Sequence, residues 1–355
     1  MNATSKLARS VVVTGTLLLA GCSESVIAPV PAPPTALIAG LVTNVYRPTL
    51  DTLAARCARL ATALQSLASA PSATTLQAAQ AAWRSARDPY ERNEAFGFGP
   101  LETGGYDPAM DTWPVDRTGI DALIAGSGTL SVATIDALDG TLKGFHGIEY
   151  VLFGATGAAT AGSLSPRALA FLAAAGQSLA NAGAGVAFAW APGGGDYGGQ
   201  LTNAGQTGSV YGSVGAALQE VIVGMVGPTD EIANSKIAQP LQTGDPEYEE
   251  SRFSDNTLAD LRSDVMGVRQ VYLGGDTPTP GNGVSAFVAA QDASVDQLIK
   301  SQIADALASL DAVGTSFDVA LHSAPAKLQA AQAAVLTLNQ TLVNRVVPLV
   351  GALEE

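Results

Sequence analysis

Apolar residues between Leu37 and Ser69 recur every three or four positions, through Leu50, Leu53, Cys57, Leu60, Leu64 and Leu67. That is the period of one helix face, and Pro48 predicts a kink early in it. The same period predicts a second helix over Leu76–Phe96, disturbed at Pro89. Between Gly97 and Gly126 the period is lost in a Gly/Pro/Asp-rich loop with one short helical turn near its end. Further helices are predicted from Ser131 to Gly154, from Pro166 to about Trp190, and as a long and a shorter one after Ser209. The pattern then predicts a helix from Leu258 to a stop at Gly274, and two last helices over Ser285–Val313 and Ala324–Leu349. No segment alternates apolar and polar residues over ~6–8 positions, so no strand is predicted. The fold class is all-α. The stretch "ATGAATAGSLS" after Gly154 divides it by composition into an N-terminal helical bundle, 37–155, and a C-terminal one, 162–355.

The first 36 residues follow another logic. Lys6 and Arg9 precede the apolar run Val11–Ala20, which is too short for the ~20 residues a membrane span needs. "LAGC", Leu19–Cys22, then resembles the bacterial lipobox, so 1–21 are expected to be a lipoprotein signal peptide and Cys22 the lipidated residue. Residues 22–36 read as a Pro-rich tether. Ser23, and not an aspartate, follows Cys22, which favours the outer membrane, on its periplasmic face or at the cell surface. Cys57 is then the one unmodified cysteine, expected to be a small buried helix residue.

Composition adds two limits. Hydrophobic residues make up 47% and charged residues 14% of the 355, ample for a packed core. The formal net charge is −14; losing 1–21 removes Lys6 and Arg9 and no acid, giving −16. Such a chain lacks the basic footprint of a nucleic-acid partner.

There are only two histidines. One, His146 in "GFHGIEYVLFG", precedes Glu149 by three, which puts both on one helix face. The pair can share an ion, or it can be a hydrogen bond inside a core; the spacing leaves both open. Gly144 and Gly147 beside it weaken a helix, which predicts close approach of another helix or a ligand. Further carboxylates stand in "RDPYERNEAFGFGP" (Glu91 and Glu94, with Arg87 and Arg92), in "DTWPVDRTGID" (Asp111, Asp116 and Asp121) and in "EESRFSDNT" (Glu249, Glu250 and Asp255, with Arg252). Ser254 or Asp255 can instead cap the next helix. HExxH, GxSxG, P-loop, GxGxxG and CxxC patterns are absent.

With these motifs in view, the chain resembles the imelysin family, also called the M75 peptidase family, and its iron-regulated branch in particular. The likeness runs from about Leu41 to Leu349 and rests on "NEAFGFGP", "DTWPVD", "GFHGIEYVLFG" with its GxHxxE, and "SRFSDNT", in that order. It implies two helical-bundle domains with a groove between them, and a surface or periplasmic lipoprotein that works in iron acquisition. It implies a metal site at His146 and Glu149, with Glu94 as third ligand. Trp113, Asp116, Arg252, Ser254 and Asp255 would line the groove. Iron is the favoured metal and zinc a possible one; the partners implied are iron or an iron chelate, the membrane through Cys22, and a membrane transport partner. Around "FSDNT" the chain carries Glu250, Arg252 and Leu258 where the iron-regulated branch carries histidine and cysteine, so the extra soft ligands are missing. Arg252 would suit an anionic ligand such as a ferric chelate. The alternatives are an M75-type metallopeptidase and a module that binds a protein partner without metal.

Overall fold

The computed structural model describes residues 34–277 and 281–351. The signal peptide, Cys22 and all but the last three residues of the expected tether lie outside them. Pro34–Ala36 are not tether but the first turn of the helix Pro34–Leu41, where a proline's missing N–H costs nothing.

All regular elements among the described residues are helical, as the periodicity predicts. The kink expected at Pro48 takes a specific form. Residues Val42–Tyr46 make one wide π-turn, with the N–H of Arg47 donating to the carbonyl of Val42, before α1, Arg47–Ser69. A proline cannot donate into the ladder, so the turn before it widens. Leu342–Val346 repeats the device ahead of Pro348.

α1 packs against α2, Ala73–Glu94, which opens on a capping box between Ser72 and Thr75. The loop expected after α2 is more ordered than the sequence suggests, with short helices at Pro100–Thr103, Tyr106–Met110 and Arg117–Ala125. The single helix expected over 131–154 is three pieces. Its last, α3, Gly144–Phe153, starts afresh because Gly144 sits at φ +67, which breaks any preceding helix. A Cβ on Gly144 would strike the carbonyl of Met110, so glycine here is what lets α3 approach the segment that ends in Asp111. The close approach predicted from Gly144 is thus with backbone.

α4, Pro166–Trp190, lies along α1, and α5, Val214–Glu231, runs into a third π-turn, Ile232–Lys236. α6, Thr257–Leu273, packs on α2 so closely that a Cβ on Gly267 would meet the carbonyl of Arg92. The helix expected over 285–313 is broken at Asp292, whose side chain caps α7, Ala293–Asp311. α8, Pro325–Thr341, packs on α7.

Among the described residues two apolar cores result. The larger takes residues from both sides of 155–161, from Leu37 to Val350, and buries Cys57 as expected. The smaller lies between Ile232 and Val335. α2, α3, α6 and the turn Ile232–Lys236 converge on a buried cluster of charges.

Candidate metal centre

The cluster is built around Arg87, a fully buried guanidinium on α2. Its flanks face the rings of Trp83, Tyr90 and Phe145, with centroids 5.9, 5.6 and 5.2 Å away. Its nitrogens pair with Glu91 and Asp111, with Glu250 at 3.3 Å and with Asp260 at 3.4 Å. Trp83 fixes α3 beside it by donating from Nε1 to the carbonyl of Phe145 at 2.9 Å.

His146 reaches into this cluster from α3. Its Nδ1 lies 3.4 Å from Glu149 Oε2, and its Nε2 lies 3.3 Å from Asp111 Oδ1 and 4.0 Å from Glu250 Oε1. His146 Nε2 is buried and makes no well-formed hydrogen bond. Ligand atoms of Asp111, His146 and Glu250 all fall within 4.8 Å of one another. Glu149 is anchored from its far side, where the N–H and hydroxyl of Ser254 donate to Oε1 at 2.9 and 2.7 Å. The chain Ser254–Glu149–His146 therefore sets the ring's orientation and holds a proton on Nδ1, so that a cation between Asp111 and Glu250 would displace only the proton on Nε2.

A second cation, Lys236, closes the other end. Its Nζ lies 3.5 Å from Glu91, 3.2 Å from Glu250 and 3.4 Å from Asp264. Asp260 is held by Ser251 at 2.5 Å and Asn256 at 2.7 Å.

The electrostatics follow from burial and crowding. Burial pushes Asp111 up, but Arg87 and His146 overcome it and hold it at about 2. Burial pushes His146 down, but Asp111 and the bond to Glu149 carry it up to about 10. Glu91 goes the other way, to about 8, because its burial and its acidic neighbours outweigh Arg87 and Lys236. Asp260 rises to about 6, and Asp264 well above its ordinary range, chiefly by burial. Five carboxylates, Glu91, Asp111, Glu250, Asp260 and Asp264, thus pair with two fixed cations, Arg87 and Lys236, and a sixth, Glu149, pairs with His146. Four negative charges remain if every carboxylate is ionised and His146 is neutral; at neutral pH the protons held by His146 and Glu91 reduce that to two. Burying unpaired charge is costly, so protons or another cation must supply the balance.

The structure places the sequence-derived candidates as follows. His146, Glu149 and Ser254 meet. Glu94 does not join them: no hydrogen bond or ion pair links it to His146 among the described residues. It lines a cavity of about 460 Å³ together with Glu102, Asp107, Glu220 and Glu231. Arg252 is engaged with Glu247 and with the ring of Phe253, away from His146. Asp116 caps the helix Arg117–Ala125 by accepting from the N–H of Gly119 at 2.9 Å. Asp255 is exposed, at φ +55, and Trp113 is half-buried. Neither Ser254 nor Asp255 caps α6, whose cap position is Asn256. Lys236, Asp260 and Asp264 had no signal beyond being charges inside apolar helical runs; the packing of α6 on α2 buries the two aspartates, and the turn Ile232–Lys236 carries the lysine in beside them.

The imelysin family model, Peptidase M75, matches residues 46–345. The chain belongs to the imelysin family. It is 35% identical over 319 residues to iron-regulated protein A of Synechococcus elongatus, a match that covers 88% of this chain and 86% of that protein. Two solved structures share its fold. One, from Parabacteroides distasonis and described as an iron-regulated protein A precursor, superposes with a TM-score of 0.78 at 24% identity, covering 87% of this chain and 93% of that one. The other, an imelysin-like protein from Psychrobacter arcticum, gives 0.73 at 14% identity, covering 91% and 98%. In this chain the GxHxxE pattern is Gly144, His146 and Glu149. Its glycine serves the approach to Met110, its histidine enters the charge cluster, and its glutamate is held by Ser254.

Proposed function

We propose that this imelysin-family chain binds a hard cation, iron above all, in the buried centre. Its ligands are His146 Nε2, Asp111 and Glu250, and Glu149 is the carboxylate that orients the imidazole. The observation that carries this reading is the surplus of buried negative charge around an unsatisfied His146 Nε2. One imidazole and two carboxylates suit a hard or borderline cation such as iron better than a thiolate-seeking one. The kinship with an iron-regulated protein A supports iron. Arg87 now holds the oxygens of Asp111 and Glu250, so an ion entering there would displace its guanidinium from them or use their second oxygens. An anionic chelate is less well served, because the charge of Arg252 is matched by Glu247. We also propose that the chain is a lipoprotein anchored through Cys22 to the outer membrane. Cys22→Ser expressed in a Gram-negative host should then move from the membrane to the soluble fraction; retention in the membrane would contradict the anchor.

A second reading has its own observation. Arg87 alone meets four carboxylates, so the cluster can be a clamp that joins α2, α3 and α6 with protons as its remaining positive charge. One titration series separates the two. Calorimetry with Fe(II) and Mn(II) should give binding to the wild type. Binding should be lost in His146→Ala and weakened roughly 10–100-fold in Ser254→Ala, the usual cost of removing a group that orients a ligand. A wild type that binds neither ion leaves the clamp.

A further inference from the structure

We infer that Lys236 is a built-in cation. Its ammonium fills a second cation position that shares Glu250 with the His146 centre, and so restricts the centre to one ion. This rests on the metal reading of the His146 side.

The position is made by three carboxylates from three elements: Glu91 on α2, Glu250 in the loop before α6, and Asp264 on α6. The lysine is 4% exposed and its Nζ stands 3.2–3.5 Å from one oxygen of each. Three converging carboxylate oxygens are what a hard metal ion takes, at roughly 2.0–2.6 Å. An ammonium is a compact point charge that can stand in for such an ion. It does so imperfectly. Only Glu91 and Asp264 receive hydrogen bonds from it, and Glu250 Oε2 and Asp264 Oδ1 stay buried without one.

Glu250 joins the two positions. Its Oε1 faces His146 and Arg87, while its Oε2 faces Lys236. A carboxylate with one oxygen towards each of two positive sites is arranged as a bridge. The lysine ends the π-turn Ile232–Lys236, and such turns often occur where a functional side chain must be placed. The same charge also reaches the acidic cavity: Lys236 lowers the proton affinity of both Glu94 and Glu231, which line it, against the burial that raises them.

The test is Mn(II) stoichiometry on the purified full-length chain, by calorimetry and electron paramagnetic resonance. Wild type and Lys236→Arg should bind one Mn(II) with an isolated six-line signal. Lys236→Met should bind two, with the broadened signal of ions that share a carboxylate. Because that variant leaves three carboxylates uncompensated, the double variant Lys236→Met/Glu91→Gln, which keeps the net charge of the cage, is measured beside it. A folded Lys236→Met that binds a single Mn(II) with wild-type affinity, or a folded double variant that shows no second, weaker Mn(II), overturns the inference. Binding of one ion by the variant and none by wild type would uphold the role of the lysine and refute the His146 centre; no binding by either would refute both.

Discussion

Arg87→Ala is expected to destabilise the chain more than any other single substitution, by at least about 4 kcal/mol. Removing one partner of a buried ion pair costs roughly 3–5 kcal/mol, against a total stability of about 5–15 kcal/mol. Here one guanidinium meets Glu91, Asp111, Glu250 and Asp260, and all four would lose it at once. The aromatic faces of Trp83, Tyr90 and Phe145 would also stand against a void. Arg87→Lys should recover only part of the loss, because a single ammonium lacks the planar fork that serves several carboxylates. Urea denaturation followed by circular dichroism reads this directly. A loss of less than about 1 kcal/mol for Arg87→Ala, the range of an exposed pair, would mean that the cluster is hydrated and that the charge argument does not hold.

The second large effect is on stability against pH. Without added cation, the melting temperature should be highest near pH 4–5 and fall steadily towards pH 9. The direction follows from which state holds its protons more tightly. Glu91 at about 8, Glu249 at about 7 and Asp260 at about 6 all lie above their ordinary carboxylate values, each chiefly through burial. Each therefore contributes stability below its unfolded pKa that is lost as pH rises through the folded one. His146, carried up to about 10 by Asp111 and Glu149 against its burial, acts in the same direction, with its contribution complete below about 6.5 and lost as pH rises through about 10. Asp111, held at about 2, opposes them only in acid: its contribution is present above its ordinary value and lost as pH falls through about 2. Since ~1 kcal/mol moves the melting temperature ~2–4 °C in chains of about 150–250 residues, the fall from pH 5 to 9 should exceed about 5 °C. A melting temperature flat or rising across that range contradicts the assignment of buried, under-compensated carboxylates. A saturating cation that binds the centre should flatten the fall, because it replaces the protons lost.

The helices were legible because their apolar positions keep the helical period, and the GxHxxE face was legible because residues three apart on a helix are neighbours. Pro48 marked its irregularity correctly, but whether a proline yields a bend or a π-turn depends on local hydrogen bonding that no residue pattern encodes. Asp111 and Glu250 were visible only as members of acidic loops. What selects them is the approach of α3 to Met110 at Gly144 and the fold of the loop before α6, both tertiary events. Glu94 lies seven residues beyond Arg87, roughly 10 Å along the axis of α2, and there it lines the acidic cavity. Arg252 looked free in the sequence because its partner, Glu247, sits in the preceding turn.

The most direct test of the central claim is anomalous diffraction from crystals of the chain grown with Mn(II) or Fe(II). The account predicts one anomalous peak bonded to His146 Nε2 and to oxygens of Asp111 and Glu250, with Glu149 still held by Ser254 and not on the ion. Crystals at saturating metal in which Arg87 keeps all four carboxylates and the only peaks lie elsewhere, in the Glu94 cavity or on the surface, would contradict it.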